Sequence, residues 1–163
     1  MLGHYKRAAL VWHRRSGKDK TFLNVMVDKM FERKGAYYYL FPTYKQGKKV
    51  IWTGMDRDGF KFTDHIPEAV RKRTDNGEMF IAAVNGSTFQ VVGSDNVDSV
   101  MGANPVGCVF SEWSLQNPAA WDFIRPILAE NDGWAVFIYT PRGKNHGWDT
   151  LDLAREFPDK WFS

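Results

Sequence analysis

Trp12-His13-Arg14-Arg15-Ser16-Gly17-Lys18-Asp19 follows a short apolar run and precedes a helical pattern. Strand, loop, Gly-Lys and helix make the frame of a P-loop (Walker A). There, backbone N–H groups and a helix N-terminus cradle phosphates while the lysine reaches the β- and γ-phosphates. Two positions depart from G-x-x-x-x-G-K-[ST]: Trp12 stands where the first glycine belongs, and Asp19 where the Mg²⁺-binding hydroxyl belongs. Arg14 and Arg15 offset the first departure, because guanidinium groups grip phosphate oxygens bidentately. Asp19 offsets the second as a hard oxygen donor able to hold Mg²⁺ directly or through water. It also sets an anion beside the phosphates, so nucleotide binding is expected to depend strongly on the cation. Taken alone, the Gly-Lys pair reads more readily as a basic turn before a helix than as a phosphate loop.

Two further polar segments end apolar runs. In Val106-Gly107-Cys108-Val109-Phe110-Ser111-Glu112 a strand runs into a carboxylate, the Walker B arrangement, with Ser111 in the place of the metal-holding acid and Glu112 in that of the base that deprotonates water. A strand ending in a polar residue is also commonplace. Tyr139-Thr140-Pro141-Arg142-Gly143-Lys144-Asn145 reads as a turn, in which Thr140 and Asn145 have the side chains to sense a γ-phosphate.

Elements must bring these segments together. Ala8 to Trp12 is a buried-strand run, and Phe22, Val25, Met26, Met30 and Phe31 recur at helical spacing from Asp19 to about Arg33, closed by Gly35. Ala36 to Phe41 reads as a second strand and Thr43 to Met55 as a second helix. Asn85-Gly86 between Met79 to Val84 and Thr88 to Val92 signals a hairpin. Pro105 to Phe110 is a strand, Asn117-Pro118 opens a helix that Pro126 should kink, and Gly133 to Tyr139 is a last strand. Alternating strands and helices predict one α/β domain over 1–163, a doubly wound, mainly parallel sheet with an inserted β-hairpin. Ligands in such sheets bind beyond the carboxyl ends of the strands.

Composition narrows the class. At 163 residues, 44% hydrophobic and 25% charged, the chain can bury a core. No apolar run approaches the roughly 18 to 20 residues of a membrane span, so a soluble, cytosolic protein is expected. One cysteine, Cys108, rules out an internal disulfide, and four histidines without ligand spacing argue against zinc. Residues 1–50 hold 12 Lys+Arg against 3 Asp+Glu, which suits a polyanionic ligand. His13 reads as a loop residue, Trp113, Trp121, Trp134 and Trp148 as core, Cys108 as an inert buried thiol, and Lys45, Lys48 and Lys49 as a solvated face.

RRSGKD after the first strand, FSEW after a late one and TPRGKNHGW after the next together resemble the ATPase domain of the tailed-phage terminase large subunit. Tyr38-Leu40-Phe41-Pro42-Thr43-Tyr44-Gln46, Asn85-Gly86-Ser87 and Gly102-Ala103-Asn104-Pro105 are similar to the family's intervening segments. The likeness spans nearly the whole chain. It implies an ASCE-type P-loop NTPase that uses ATP and Mg²⁺ to drive double-stranded DNA into a procapsid, in the cytoplasm of an infected bacterium. Implied partners are the portal protein, the terminase small subunit and further copies in a homo-oligomeric ring. Arg14, Arg15, Ser16, Gly17, Lys18 and Asp19 would bind nucleotide. Lys18, Arg15 and Glu112 would be catalytic, and Ser111, Glu112 and Asp19 would serve the metal. Thr140, Pro141, Arg142, Gly143 and Asn145 would couple hydrolysis to movement. The adenine-recognition segment and the C-terminal nuclease domain of full-length terminases are expected to be missing from this chain, and with them any DNA cleavage. Met101 stands where many members carry an arginine that acts on a neighbouring subunit; Arg57, Arg71 and Arg73 are candidate substitutes. The rival readings are a helicase-like ATPase and a non-hydrolysing fragment that only binds DNA or capsid partners.

Overall fold

A computed structural model describes residues 3–96 and 102–163; Met101 lies outside them. In chain order the elements are β1 (Arg7–Val11), α1 (Lys18–Glu32), β2 (Ala36–Phe41), α2 (Tyr44–Gly47), β3 (Arg71–Asp75), β4 (Phe80–Ala83), β5 (Thr88–Gly93), β6 (Pro105–Ser111), α3 (Ala119–Glu130), β7 (Trp134–Tyr139), α4 (His146–Glu156) and β8 (Trp161–Phe162). Among the described residues the strands form one sheet in the order β3-β4-β5-β2-β6-β7-β1-β8. β1, β2, β5, β6, β7 and β8 pair in parallel. β4 runs antiparallel to both β3 and β5, turning into β5 through Asn85-Gly86. No described helix is long and apolar enough to cross a membrane.

Period-two alternation in the central strands sorts their side chains onto two faces, each covered by a helix. Val136 and Ile138 of β7 meet Phe22, Leu23, Met26 and Met30 of α1, together with Tyr37, Tyr39 and Val109. Ala135, Phe137 and Tyr139 meet Ala120, Ile124 and Leu128 of α3, with Cys108 and Phe110. β6 and β7 are buried along their full length, as their unbroken apolar runs require.

Several elements depart from the pattern read in the sequence. Phe31 faces solvent, and Leu23 takes a place in the core of α1 instead. Gly35 does not cap α1 in a left-handed conformation; it is small because a Cβ there would lie 2.4 Å from Val106 Cγ2. The second helix is only one α-turn, capped by Thr43 Oγ1 accepting from Gln46 N–H, and it continues as a π-helical turn over Lys48–Trp52. Gly47 lets it sit close to the sheet, since a Cβ would lie 2.6 Å from Val91 Cγ1. α3 is continuous through Pro126, and Asn117 Oδ1 accepts from Ala119 N–H at its head. β3, α4 and β8 have no counterpart in the sequence pattern.

Gly107 yields a sharp packing test. A methyl group on this β6 residue would lie 2.5 Å from the buried Trp134 ring, which also packs on Tyr37. Gly107→Ala is expected to cost about 1–3 kcal/mol, read as a lower urea midpoint at unchanged m-value. An unshifted midpoint would mean the ring can move aside.

Candidate active site

Register brings the three polar segments to one edge. Val11 lies opposite Tyr139 across β1 and β7, Ser111 opposite Ile138 across β6 and β7, and Leu40 opposite Phe110 across β2 and β6. The β1–β7 pairing extends one residue further, as Trp12 N–H donates to the Tyr139 carbonyl at 3.1 Å. Residues 12–17, 112–116 and 140–145 therefore all leave the carboxyl edge of the sheet, where ligands of open α/β sheets bind.

α1 carries its lysine on the core-facing stripe. Lys18, Phe22, Met26 and Met30 are four residues apart and all buried, so helical periodicity points the Lys18 stem inward at the head of the helix. Gly17 before it has φ 80°, ψ 14°, a left-handed conformation that a side chain resists although a Cβ would meet nothing within 4 Å. Lys18 Nζ lies 2.8 Å from Glu112 Oε1, with side chains 7% and 29% exposed. Glu112 is left-handed too, at φ 54°, as is Arg15 at φ 60°. Strain at such non-glycine positions persists where surrounding structure holds it, often at functional sites. No side chain caps α1, which leaves first-turn amides for an anion.

Asp19 faces the sheet. Its Oδ1 accepts from Ser111 Oγ at 2.6 Å and from the buried Tyr39 hydroxyl at 3.1 Å. Burial pushes its carboxyl above the ordinary range, opposed by the Ser111 hydrogen bond and the neighbouring Lys18 ammonium. The sequence reading misses Tyr39; the available signal is that a tyrosine on a core-facing strand position must find a partner for its hydroxyl. Among the described residues no three His, Cys, Asp or Glu side chains converge on a metal position. The oxygen donors present suit Mg²⁺, which takes one or two protein ligands and the rest from phosphate and water.

Two cavities flank the Lys18–Glu112 pair. One of about 870 Å³ runs from Arg15 through Lys20 to Asp56, Arg57 and Phe62. The other, about 320 Å³, is lined by Arg14, Arg15, Lys18, Gln46, Glu112 and Arg142. Ser16 Oγ and Thr140 Oγ1 are buried without a hydrogen-bond partner, and such orphans in a polar loop are what an incoming phosphate would satisfy.

Asn145 is occupied differently from the sequence expectation. Its Oδ1 accepts from Gly147 N–H to cap α4, and its Nδ2 donates to the Ser114 carbonyl at 3.0 Å. Ser114 Oγ donates to the Thr140 carbonyl, and His146 Nε2 to that of Trp113. The 140–146 segment is thus bonded to the turn directly after Glu112. Pro141, Arg142 and Gly143 are exposed on it, with Gly143 left-handed.

This architecture has solved counterparts. The ATPase domain of the large terminase of Thermus phage P74-26 superposes with TM-score 0.73 at 21% identity, over 89% of this chain and 63% of that one. A mutant of that domain gives 0.72 over 89% and 64%. This is the fold of a phage large-terminase ATPase domain. The large terminase of a second, thermophilic bacteriophage, in a structure with ADP, has TM-score 0.66 at 12% identity, over 98% of this chain and 39% of that one. The chain therefore spans less than two thirds of the length of these terminase chains. No family model and no curated protein matches the sequence.

Within the terminase ATPase fold the remaining expectations divide. Cys108 is buried and its thiol is pushed up by that burial. Trp113 and Trp134 are core, whereas Trp148 is 43% exposed on α4, contrary to the core reading. His13 is an exposed loop residue whose Nδ1 donates to the Arg14 carbonyl, and Lys45, Lys48 and Lys49 are exposed. Arg71 is tied to the Thr63 and Ile66 carbonyls, and Arg73 pairs with Asp75. Arg57 alone of the three substitutes lines a cavity beside Lys18.

Lys20 fastens the start of α1 to the loop that carries Arg57. Its Nζ lies 2.6 Å from Asp56 Oδ2, while Asp56 Oδ1 accepts from the Asp58 and Phe60 amides, both at 2.9 Å. The Lys20 hydrogen bond, then the Phe60 amide, holds the Asp56 carboxyl down at about 2 from 3.8. A lowered folded value means that the clasp is complete above the unfolded value and is lost as pH falls through the folded one. Followed by NMR, the Phe60 amide shift is expected to titrate near pH 2, and in Lys20→Met at a higher pH, toward 3.8. Equal midpoints would show that the ammonium does not hold this carboxylate.

Proposed function

We propose that the chain is an ATP-hydrolysing P-loop domain of ASCE type, the motor part of a viral DNA-packaging terminase. The observation that carries this reading is the Lys18–Glu112 pair: a lysine at the head of a glycine-led helix, 2.8 Å from a carboxylate at the end of β6. β7 lies between β1 and β6, so one strand separates the P-loop strand from the strand that ends at Glu112, which supports the ASCE assignment.

In this reading the α1 amides, Ser16 Oγ and Lys18 take the β- and γ-phosphates, and Arg14, Arg15 and Arg142 grip oxygens on the open side. A γ-phosphate drawn to Lys18 competes with Glu112 for the same ammonium. Glu112, freed from that contact, accepts the proton of the attacking water. Asp19 and Ser111 are the donors for Mg²⁺, which when bound neutralises phosphate charge. The bonds from Asn145, Ser114 and His146 couple the turn after Glu112 to the TPRGKN segment, so a change at Glu112 is transmitted to α4. The neighbour with ADP supports a nucleotide as ligand. Double-stranded DNA, portal protein, small subunit and a ring of copies belong to this proposal through the fold.

The test is ADP and ATP affinity by calorimetry together with phosphate release, alone and with linear duplex or single-stranded DNA. Mg²⁺-dependent binding and turnover raised more by duplex than by single strands is expected. Preference for single strands would favour the helicase-like reading, binding without turnover the non-hydrolysing one, and absence of binding would end the assignment.

A further inference from the structure

In P-loop NTPases the metal is held by a hydroxyl on the P-loop helix and an aspartate at the tip of the Walker B strand. Both positions depart from that pattern here, and the departures are complementary: the helix carries Asp19 and the strand tip carries Ser111. The two side chains are in direct contact, Ser111 Oγ donating to Asp19 Oδ1 at 2.6 Å although 92 residues separate them.

We propose that positions 19 and 111 have exchanged the halves of the metal-holding pair, with Asp19 supplying the carboxylate and Ser111 the hydroxyl for the Mg²⁺ that accompanies a nucleotide. The inference rests on the ATPase reading above. The exchange conserves what the cation needs, one anionic and one neutral hard oxygen side by side. By the same chemistry, either departure alone would leave the pair short of what the cation needs. A hydroxyl at both positions offers no anion, and a carboxylate at both sets two like charges at hydrogen-bond distance. Tyr39 acts as a positioning residue: its hydroxyl and that of Ser111 both donate to Oδ1, which orients the carboxylate and leaves Oδ2 for a cation. Capping does not account for Asp19, because the N-cap of α1 is Gly17 and no side chain caps the helix.

The experiment measures ADP affinity with Mg²⁺ and with excess EDTA for the parent, Asp19→Asn, Asp19→Ser, Ser111→Asp and the exchange variant Asp19→Ser/Ser111→Asp. Melting curves without ligand verify folding. Asp19→Asn keeps shape and hydrogen bonding and is the variant least exposed to misfolding. It is expected to lose about tenfold or more of the Mg²⁺ enhancement while its affinity in EDTA holds or improves. The exchange variant should regain the parent's enhancement to within about threefold, far from the product of the single effects. Full enhancement in Asp19→Asn, or strictly additive losses in a folded exchange variant, would overturn the exchange while leaving the ATPase reading intact. A parent that binds no ADP in either buffer would overturn both.

Discussion

Glu112→Gln is expected to slow ATP hydrolysis by about a hundredfold or more while nucleotide binding is kept or tightened. The loss follows from chemistry: an amide fills the same space but cannot take a proton from water. The gain follows from the ion pair at 2.8 Å. Glu112 neutralises Lys18, and a triphosphate must replace it there while bringing several negative charges toward the carboxylate. A neutral glutamine removes that competition and repulsion together. Its carbonyl still accepts from Lys18 Nζ, so the fold at the end of β6 is retained and a melting curve close to the parent's is expected. The checks are single-turnover phosphate release and ATP affinity on the same preparation. Unchanged turnover would place the base elsewhere. Turnover lost together with binding would mean that Glu112 holds the loop and does not perform the chemistry.

The parts of this site that a sequence reading reaches are those fixed by local periodicity. The helical recurrence of Phe22, Met26 and Met30 and the unbroken apolar runs of β6 and β7 place α1 and the central strands, and thereby the edge from which all three polar segments emerge. What escapes is set by partners distant in the chain. Nothing local to Asp19 indicates that Ser111 and Tyr39 will hold it, nor anything near Asn145 that its Nδ2 will be spent on the Ser114 carbonyl. Arg71–Asp75 has five polar residues and no apolar alternation, so it reads as a loop; it becomes an edge strand because β4 offers it backbone partners. Phe31 and Trp148 fail in the opposite direction, since each is a large apolar side chain read as buried but left 43% exposed on its helix. Gly35 shows the same limit, its smallness answering to Val106 across the sheet and not to the helix end beside it.

Lys18→Ala is the change expected to weaken nucleotide binding most. A charge-assisted contact of this kind contributes about 1.5–3 kcal/mol, or roughly ten- to hundredfold in affinity. The alanine is a good helix former at the head of α1, so the effect should fall on binding more than on folding. The substitution also strips Glu112 of its counter-ion, and the bare carboxylate then faces incoming phosphates. Part of the measured loss is therefore repulsion and not a missing contact, and the two parts separate in a double mutant. In Lys18→Ala/Glu112→Gln the repulsion is gone, so ATP affinity is expected to recover several-fold over Lys18→Ala alone, although both residues of the pair have been removed. Turnover is expected to stay abolished, because neither the phosphate-binding ammonium nor the base returns. No recovery of ATP affinity in the double mutant over Lys18→Ala alone would show that Glu112 does not look toward the phosphates at all. The pair would then be a structural tie between α1 and β6, and the phosphate-binding role of Lys18 would have to stand on the single mutant alone.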